Sequence, residues 1–317
     1  MIQSSHIKEK AKEIGFHLVG ISTGATEKDK QFYNWWVDQG FGADMFYLRA
    51  QKERRQQLSE ILPGAKSAIV CAMRFPGSVE DSTPPDLDTK SYGKIARYAL
   101  HDDYHDTIKP KLNALADWID TEYSGTKSLA YVDTGAIPER ALAKEAGLGW
   151  IGKNAMLIHP EEGSYFWLGE VITTLELPPD LPISDHCGKC RRCLDACPTG
   201  AIFEDLRAID SRKCLSYWNI EHRGAIPDQF HAPMQDWLLG CDICQEVCPW
   251  NQQSLRKARV KEGLPPVEWL ASDEILALDA AEFKAKFAKR AVSRSKISGL
   301  QRNAAIVKKN WQTKHKA

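Results

Sequence analysis

The chain has 317 residues, 43% hydrophobic and 26% charged, with 42 acidic side chains against 42 Lys and Arg. That describes a globular protein with apolar material for one large or two to three small domains. Its first fifteen residues are polar and charged and do not resemble a signal peptide, and no apolar run approaches the roughly 18 residues that span a bilayer, so a soluble, cytoplasmic protein is expected.

Residues 6–14 read as an amphipathic helix ended by Gly15, and residues 17–22 as a strand. Residues 66–75 (KSAIVCAMRF) read as a buried strand stopped by Pro76 and Gly77, with Cys71 a packed thiol. A helix over 106–123 carries Ile108, Leu112, Leu115, Trp118 and Ile119 on one face. A strand over 127–133 comes next, then a helix over 139–146 broken by Gly147 and Gly149. Strands over 155–159 and 165–175 surround a Glu-Glu-Gly-Ser turn. Alternation of this kind predicts an α/β layer fold for residues 1–177. Residues 177–185 (LPPDLPISD) form a linker, and residues 178–255 form a cysteine-rich domain. Residues 256–317 form a basic helical segment, with eleven Lys or Arg and no Asp or Glu from Lys284 onward.

Nine cysteines in a chain without a secretory signal point to metal rather than to disulfides. Cys187, Cys190, Cys193 and Cys197 have the spacing C-x2-C-x2-C-x3-C-P, and Cys241, Cys244 and Cys248 form a second, shorter group before Pro249. In two-cluster ferredoxins such loops wrap three thiolates around one [4Fe-4S] cubane, and the fourth cysteine ligates the other cluster. The expected ligands are therefore Cys187, Cys190, Cys193 and Cys248 for one cluster. Cys241, Cys244, Cys197 and Cys214 are expected on the other, Cys214 supplying what the second group lacks. Structural zinc is the alternative, although zinc ribbons need only two separated pairs. The long insert between Cys214 and Cys241 and the large first domain argue against a simple electron carrier.

The strings YGKIARYALHDDYH (92–105), VDTGAIPERALAKEAGLGWIGKN (132–154), CGKCRRCLDACPTGAI (187–202) and GCDICQEVCPWN (240–251) together resemble the epoxyqueuosine reductase family over almost the whole chain. The resemblance implies an α/β cobalamin-binding domain, a ferredoxin-like domain with two [4Fe-4S] clusters, and reduction of the epoxide of epoxyqueuosine in a tRNA anticodon loop to queuosine. It also implies an external electron donor, and a monomer is the expected assembly. The chain lacks a D-x-H-x-x-G signature, which agrees with a family whose cofactor takes no protein histidine on cobalt.

Position by position, the resemblance puts the proton donor on Asp133, at the end of a predicted strand where ligands gather in open α/β sheets. Such a donor needs burial to hold its proton near neutrality; the alternative is a cap on the following helix. Cobalamin contacts fall on Arg55, Asp133, Leu157, Leu168, Lys213, Ser216, Cys241 and Asp242, several through the main chain. Arg55 also reads as one of a surface charge run, and the two leucines as core. Where some relatives have a cysteine near cobalt this chain has Ala96, and where some continue into helical repeats it ends at Ala317. Transfer RNA contacts are then expected from Lys284, Lys286, Lys289, Arg290, Arg294, Lys296, Arg302, Lys308 and Lys309. Tyr217, Trp218 and His222 are candidates for base stacking or for core. A reductive dehalogenase, an electron-transfer protein and an RNA-binding protein with structural clusters are the rival readings.

Overall fold

The computed structural model describes residues 2–75, 86–256 and 268–315, without the side chains of residues 2, 3 and 253–256; the strand-stopping Pro76 and Gly77 lie outside the described residues. The chain begins with α1 (Ile2–Ile14), β1 (Leu18–Ser22), α2 (Glu27–Asp38), α3 (Phe46–Ala50), β2 (Ser67–Arg74) and β3 (Tyr92–Ile95). Next come α4 (Tyr104–Glu122), β4 (Ser128–Tyr131), α5 (Glu139–Glu145), β5 (Trp150–Ile151), β6 (Leu157–Ile158) and β7 (Phe166–Thr173). The rest holds α6 (Arg192–Ala196), β8 (Trp237–Leu239), α7 (Ile243–Glu246), α8 (Pro249–Arg256), β9 (Glu268–Ala271), α9 (Ser272–Ala277), α10 (Ala280–Phe287) and α11 (Lys296–His315). Among the described residues no helix is long and apolar enough to cross a membrane.

One compact unit comprises Met1–Arg74 and Tyr104–Cys190. Its sheet has the order β1-β2-β7-β4. Seven of the eight β2 residues are buried, because β2 is an inner strand with helices over both faces. Helix α4 packs on β4 and β7 through Ile108, Leu112 and Leu115. On the other face α5 packs with Val70, Ile137, Leu142, Leu157, Phe166 and Ile172 in one apolar cluster. Gly20 lets the end of α5 approach, since a Cβ there would lie 2.0 Å from the Ala146 carbonyl oxygen.

The helix–sheet layering agrees with the sequence reading, but the strand directions correct it. All three neighbouring pairs are antiparallel, so the rule that ligands gather at the carboxyl ends of parallel strands does not transfer. Asp133 does follow the carboxyl end of β4, beside an oppositely directed β7.

The other unit comprises Phe75–Asp103 and Arg191–Ala317. Residues 1–177 are thus divided between two units, because β3 pairs in parallel with β8 and antiparallel with β9. Those partners lie far along the chain, where local periodicity carries no information about them. The basic segment is also part of this unit. Helix α11 buries Leu300, Asn303, Ala304, Ile306 and Val307, and Asn303 Nδ2 donates to the carbonyls of Asn219 (2.7 Å) and Leu238 (2.9 Å). Asn219 in turn exchanges two hydrogen bonds with Gly240, just before Cys241.

Gly149, just before β5, has φ +154°, and a Cβ there would sit 2.2 Å from the Ile158 carbonyl oxygen. Gly149→Ala is expected to cost about 1–3 kcal/mol from backbone strain alone, read as a lowered midpoint of thermal unfolding.

Candidate active site and cluster loops

Asp133 follows β4 in the left-handed region at φ +50°, uncommon for a residue with a Cβ and best tolerated by Asp and Asn. Three neighbours hold it there. Tyr104 Oη donates to Asp133 Oδ2 at 2.8 Å, His105 Nε2 lies 3.9 Å from the same oxygen, and the Asp133 amide donates to Glu139 Oε1 at 2.7 Å. The Tyr104 ring stacks on His105 and on Trp167, with centroids 4.4 and 6.0 Å away. Asp133 is not a helix cap: α5 is capped at Pro138 with no side-chain bond. Nor is it buried, its side chain being 52% exposed.

The buried carboxyls are its neighbours. Glu139, half-buried at the start of α5, is pushed up to about 7 by burial and by Asp133. Glu170, fully buried on β7, is pushed well above the ordinary glutamate range by burial, then by Glu139 and Asp133. Tyr104, His105, Glu139 and Glu170 were not singled out from sequence. A detectable signal existed for Glu170 alone, a lone charge in the apolar strand FWLGEVIT.

Arg55 is not a surface charge. Its Nη1 donates to the Ile137 carbonyl (2.6 Å) and its Nη2 to Gly135 (3.2 Å) and Gln51 Oε1 (3.1 Å). The guanidinium therefore braces the loop that carries Asp133. Leu157 is buried and Leu168 half-buried, both in the α5-side apolar cluster. In the other unit Lys213 is exposed, and Ser216 lies within hydrogen-bond reach of Cys214. The Asp242 side chain is committed: Oδ2 accepts from the Arg97 amide (2.8 Å) and Oδ1 from Gln245 Nε2 (3.1 Å).

All nine cysteines are free thiols, and Cys71 is buried in β2 as expected. In the first unit Trp150 Nε1 donates to Cys187 Sγ at 3.5 Å, and Lys153 Nζ donates to the carbonyls of Gly188 and Cys190, each at 2.9 Å. The string GWIGKN thereby fixes the CGKC loop, a role its sequence did not reveal. In the second unit α6 packs against α7. The Cys241 thiol is pushed up by burial and by Cys214 and Cys197, and the Cys244 thiol by burial, Cys241, Cys214 and Cys193. Cys214, raised by burial, receives opposing hydrogen bonds from the backbone of Ser216 and Tyr217. Among the described residues no three His, Cys, Asp or Glu close on a single metal ion; the four thiolates of a cubane stand further apart than the ligands of one ion.

The basic residues divide by partner. Arg290 pairs with Glu268, Arg294 with Glu221 (2.8 Å), Lys308 with Asp273 (2.5 Å) and Lys286 with Glu274 (4.0 Å). Arg302 donates to the carbonyls of Trp218, His222 and Gly224. Lys284, Lys289, Lys296 and Lys309 are exposed and form no ion pair among the described residues. Tyr217 is buried. Trp218 packs on His222 and Phe230, with centroids 4.7 and 4.9 Å away, so this aromatic group is mainly core.

Residues 186–251 match a family model described as a 4Fe-4S double cluster binding domain, and residues 55–134 match one described as epoxyqueuosine reductase QueG, DUF1730. The epoxyqueuosine reductase of Gloeobacter violaceus is 38% identical over 309 residues, covering 95% of this chain and 94% of that protein. That of Synechocystis is 41% identical over 285 residues, covering 88% and 96%. A solved epoxyqueuosine reductase bound to an epoxyqueuosine-modified tRNA-Tyr stem loop superposes with a TM-score of 0.85 at 31% identity, over 98% of this chain and 82% of that one. A Bacillus subtilis structure whose catalytic aspartate loop is swung out of the active site gives 0.87 at 31% identity, over 98% and 82%. With this likeness spanning nearly its full length, the chain belongs to the epoxyqueuosine reductase family.

Proposed function

We propose that this chain reduces the epoxide of epoxyqueuosine in transfer RNA to the alkene of queuosine, using cobalamin supplied with electrons through two [4Fe-4S] clusters. The observation that carries the reading is Asp133: a half-exposed carboxyl at strained backbone, aimed by Tyr104 and braced by Arg55 through the Gly135 and Ile137 carbonyls. That geometry positions a carboxyl to protonate the oxygen released as the epoxide opens, with the docked nucleoside supplying the cover that the free site lacks.

The residues fit the cofactors. The thiols of Cys214, Cys241 and Cys244 are pushed up by burial and by neighbouring cysteines, Cys197 acting on the first two, the condition that iron relieves by binding thiolates. These four are assigned to one cluster, and Cys187, Cys190, Cys193 and Cys248 to the other. Arg55 Nε is buried without a hydrogen-bond partner among the described residues, and Lys213 carries an exposed amine, both suited to the amides and phosphate of cobalamin. Ser216, Leu157, Leu168 and the main chain of Cys241 and Asp242 complete the assigned contacts. Bound cobalamin supplies the low-potential metal centre that activates the epoxide carbon. Asp133 holds and delivers the proton, Tyr104 orients it, and Arg55 keeps the loop in place.

Of the expected contacts, Lys284, Lys289, Lys296 and Lys309 are exposed and without an ion pair among the described residues, and so open to tRNA phosphates, a partner supported by the stem-loop complex of the solved relative. Replacing any one by Ala is expected to lower the slope of log affinity against log salt by about 0.7–0.9, measured by filter binding. Arg302→Ala is expected to destabilise the fold instead.

The test is anaerobic reconstitution with iron, sulfide and cobalamin, followed by a chemical reductant and tRNA bearing epoxyqueuosine, with nucleosides read by mass spectrometry. Cobalamin-dependent loss of one oxygen mass is the expected result. Loaded protein that leaves the substrate unchanged overturns the proposal.

A further inference from the structure

Behind Asp133 lie two more carboxyl groups that donation of a single proton does not require. In the sheet register Glu170 of β7 stands between Val70 of β2 and Tyr131 of β4, fully buried on the face that packs against α5. Its carboxyl lies within hydrogen-bond reach of the Glu139 side chain, and among the described residues no other group bonds either oxygen. A carboxylate so placed carries a large desolvation cost, and no cation is among the groups that act on Glu170; Cys71 of β2, Glu139 and Asp133 are its titratable neighbours. It is therefore held as the neutral acid. Glu139 stands between Glu170 and Asp133, accepting the Asp133 amide, with Arg140 and Arg55 facing it; Tyr104 and His105 of α4 face Asp133.

The proposed reaction has a fixed proton demand. Converting an epoxide to an alkene breaks both C–O bonds, forms the C=C bond and releases the oxygen as water. It consumes two electrons, which the clusters deliver, and two protons. Asp133 holds one of them. A nucleoside docked against its half-exposed carboxyl covers it, which blocks resupply from solvent until product leaves.

We propose that Glu139 and Glu170 hold the second proton and pass it to Asp133 within one turnover. Asp133 protonates the oxygen as the first C–O bond opens and is left as the carboxylate. Glu139 reprotonates Asp133, and Glu170 reprotonates Glu139. Asp133 then gives the second proton to the departing hydroxyl, which leaves as water, and solvent refills the chain after product release. Glu139 and Glu170 are thus positioning residues for protons, acting through Asp133. The proposal rests on the reductase reading above.

Glu170→Gln tests it, because glutamine keeps the shape and neutrality of the protonated acid and cannot release a proton. The first readout needs neither substrate nor cobalamin: the infrared carbonyl band of a protonated carboxyl. It is expected to persist in the wild-type protein at about pH 8, where ordinary carboxyls are ionised, and to vanish in Glu170→Gln. Absence of the band from wild type, or its survival in the variant, overturns the proposal. The second is single-turnover reduction of epoxyqueuosine tRNA by pre-reduced enzyme across pH. Glu170→Gln is expected to approach the wild-type rate at acidic pH and to fall at least about tenfold below it at alkaline pH. An unchanged pH profile overturns the relay, as does an equal loss at every pH, which marks a packing role. Wild-type enzyme that forms no product at any pH overturns the reductase reading, and the infrared band alone then decides whether the pair stores a proton.

Discussion

Cys244→Ser is expected to leave the protein with about half of its iron and sulfide and with no turnover. The half-buried Cys244 has Cys241, Cys214 and Cys193 around it, and its thiol is pushed well above the ordinary cysteine range by loss of solvation and then by these neighbours. Without iron such a group stays protonated; bound to a cluster it is a thiolate whose charge the metal neutralises. Serine's hydroxyl is a far weaker acid and replaces a soft ligand with a hard one. The cluster assigned to Cys241, Cys244, Cys197 and Cys214 is therefore expected to be lost, while the cluster assigned in part to Cys187 and Cys190 keeps the loop fixed by Trp150 and Lys153. Electrons that must cross both clusters then have no path. Cys71→Ala is the control, because Cys71 sits in β2 between Val19 of β1 and Gly169 of β7, away from the cysteine motifs. It is expected to keep full iron. Iron and sulfide analysis with electron paramagnetic resonance of the reduced protein reads the result. Full iron in Cys244→Ser, or lost iron in Cys71→Ala, sinks the assignment.

Short local patterns were the part most legible in sequence. The C-x2-C-x2-C-x3-C-P run announces a double-cluster domain because cubane loops are short, and the family model over residues 186–251 agrees; the buried β2 declares itself as an unbroken apolar run. The α4 face emerged from 3.6-residue periodicity, and its residues Ile108, Leu112 and Leu115 are buried. What stayed hidden depends on contacts between distant segments. Strand β3 is four residues long and exists because β8 and β9 pair with it. In the run Lys52, Glu53, Arg54, Arg55, no periodicity distinguishes the arginine that turns inward to the Ile137 carbonyl from those that face solvent. The basic segment misled in the opposite direction. Composition counts charges but not their partners, and Arg290, Arg294, Arg302 and Lys308 are committed to holding their own unit together.

Asp133→Asn is expected to slow single-turnover reduction by about 10²–10⁴-fold, the usual contribution of a positioned general acid, while iron content, cobalamin absorbance and tRNA affinity stay near wild type. Asparagine is the informative replacement for two reasons. It tolerates the φ of +50° that Asp133 adopts better than most residues with a Cβ, and its amide oxygen still accepts the Tyr104 hydroxyl that now bonds Oδ2 at 2.8 Å. The backbone amide keeps its bond to Glu139 Oε1 as well. The loop is then preserved and the acidic proton alone is gone, so a loss of rate without a loss of binding belongs to chemistry. Tyr104→Phe removes the orienting bond but leaves the acid, so its expected loss is smaller, on the order of tenfold for one misaligned hydrogen bond. The order of the two losses carries the argument. If Asp133→Asn retains a rate within about threefold of wild type, the oxygen takes its proton from another group, and His105, 3.9 Å from the same carboxyl oxygen, is the next to replace. If Tyr104→Phe is the more damaging of the two, the tyrosine hydroxyl itself is the donor, and Asp133 is the base that holds it in line.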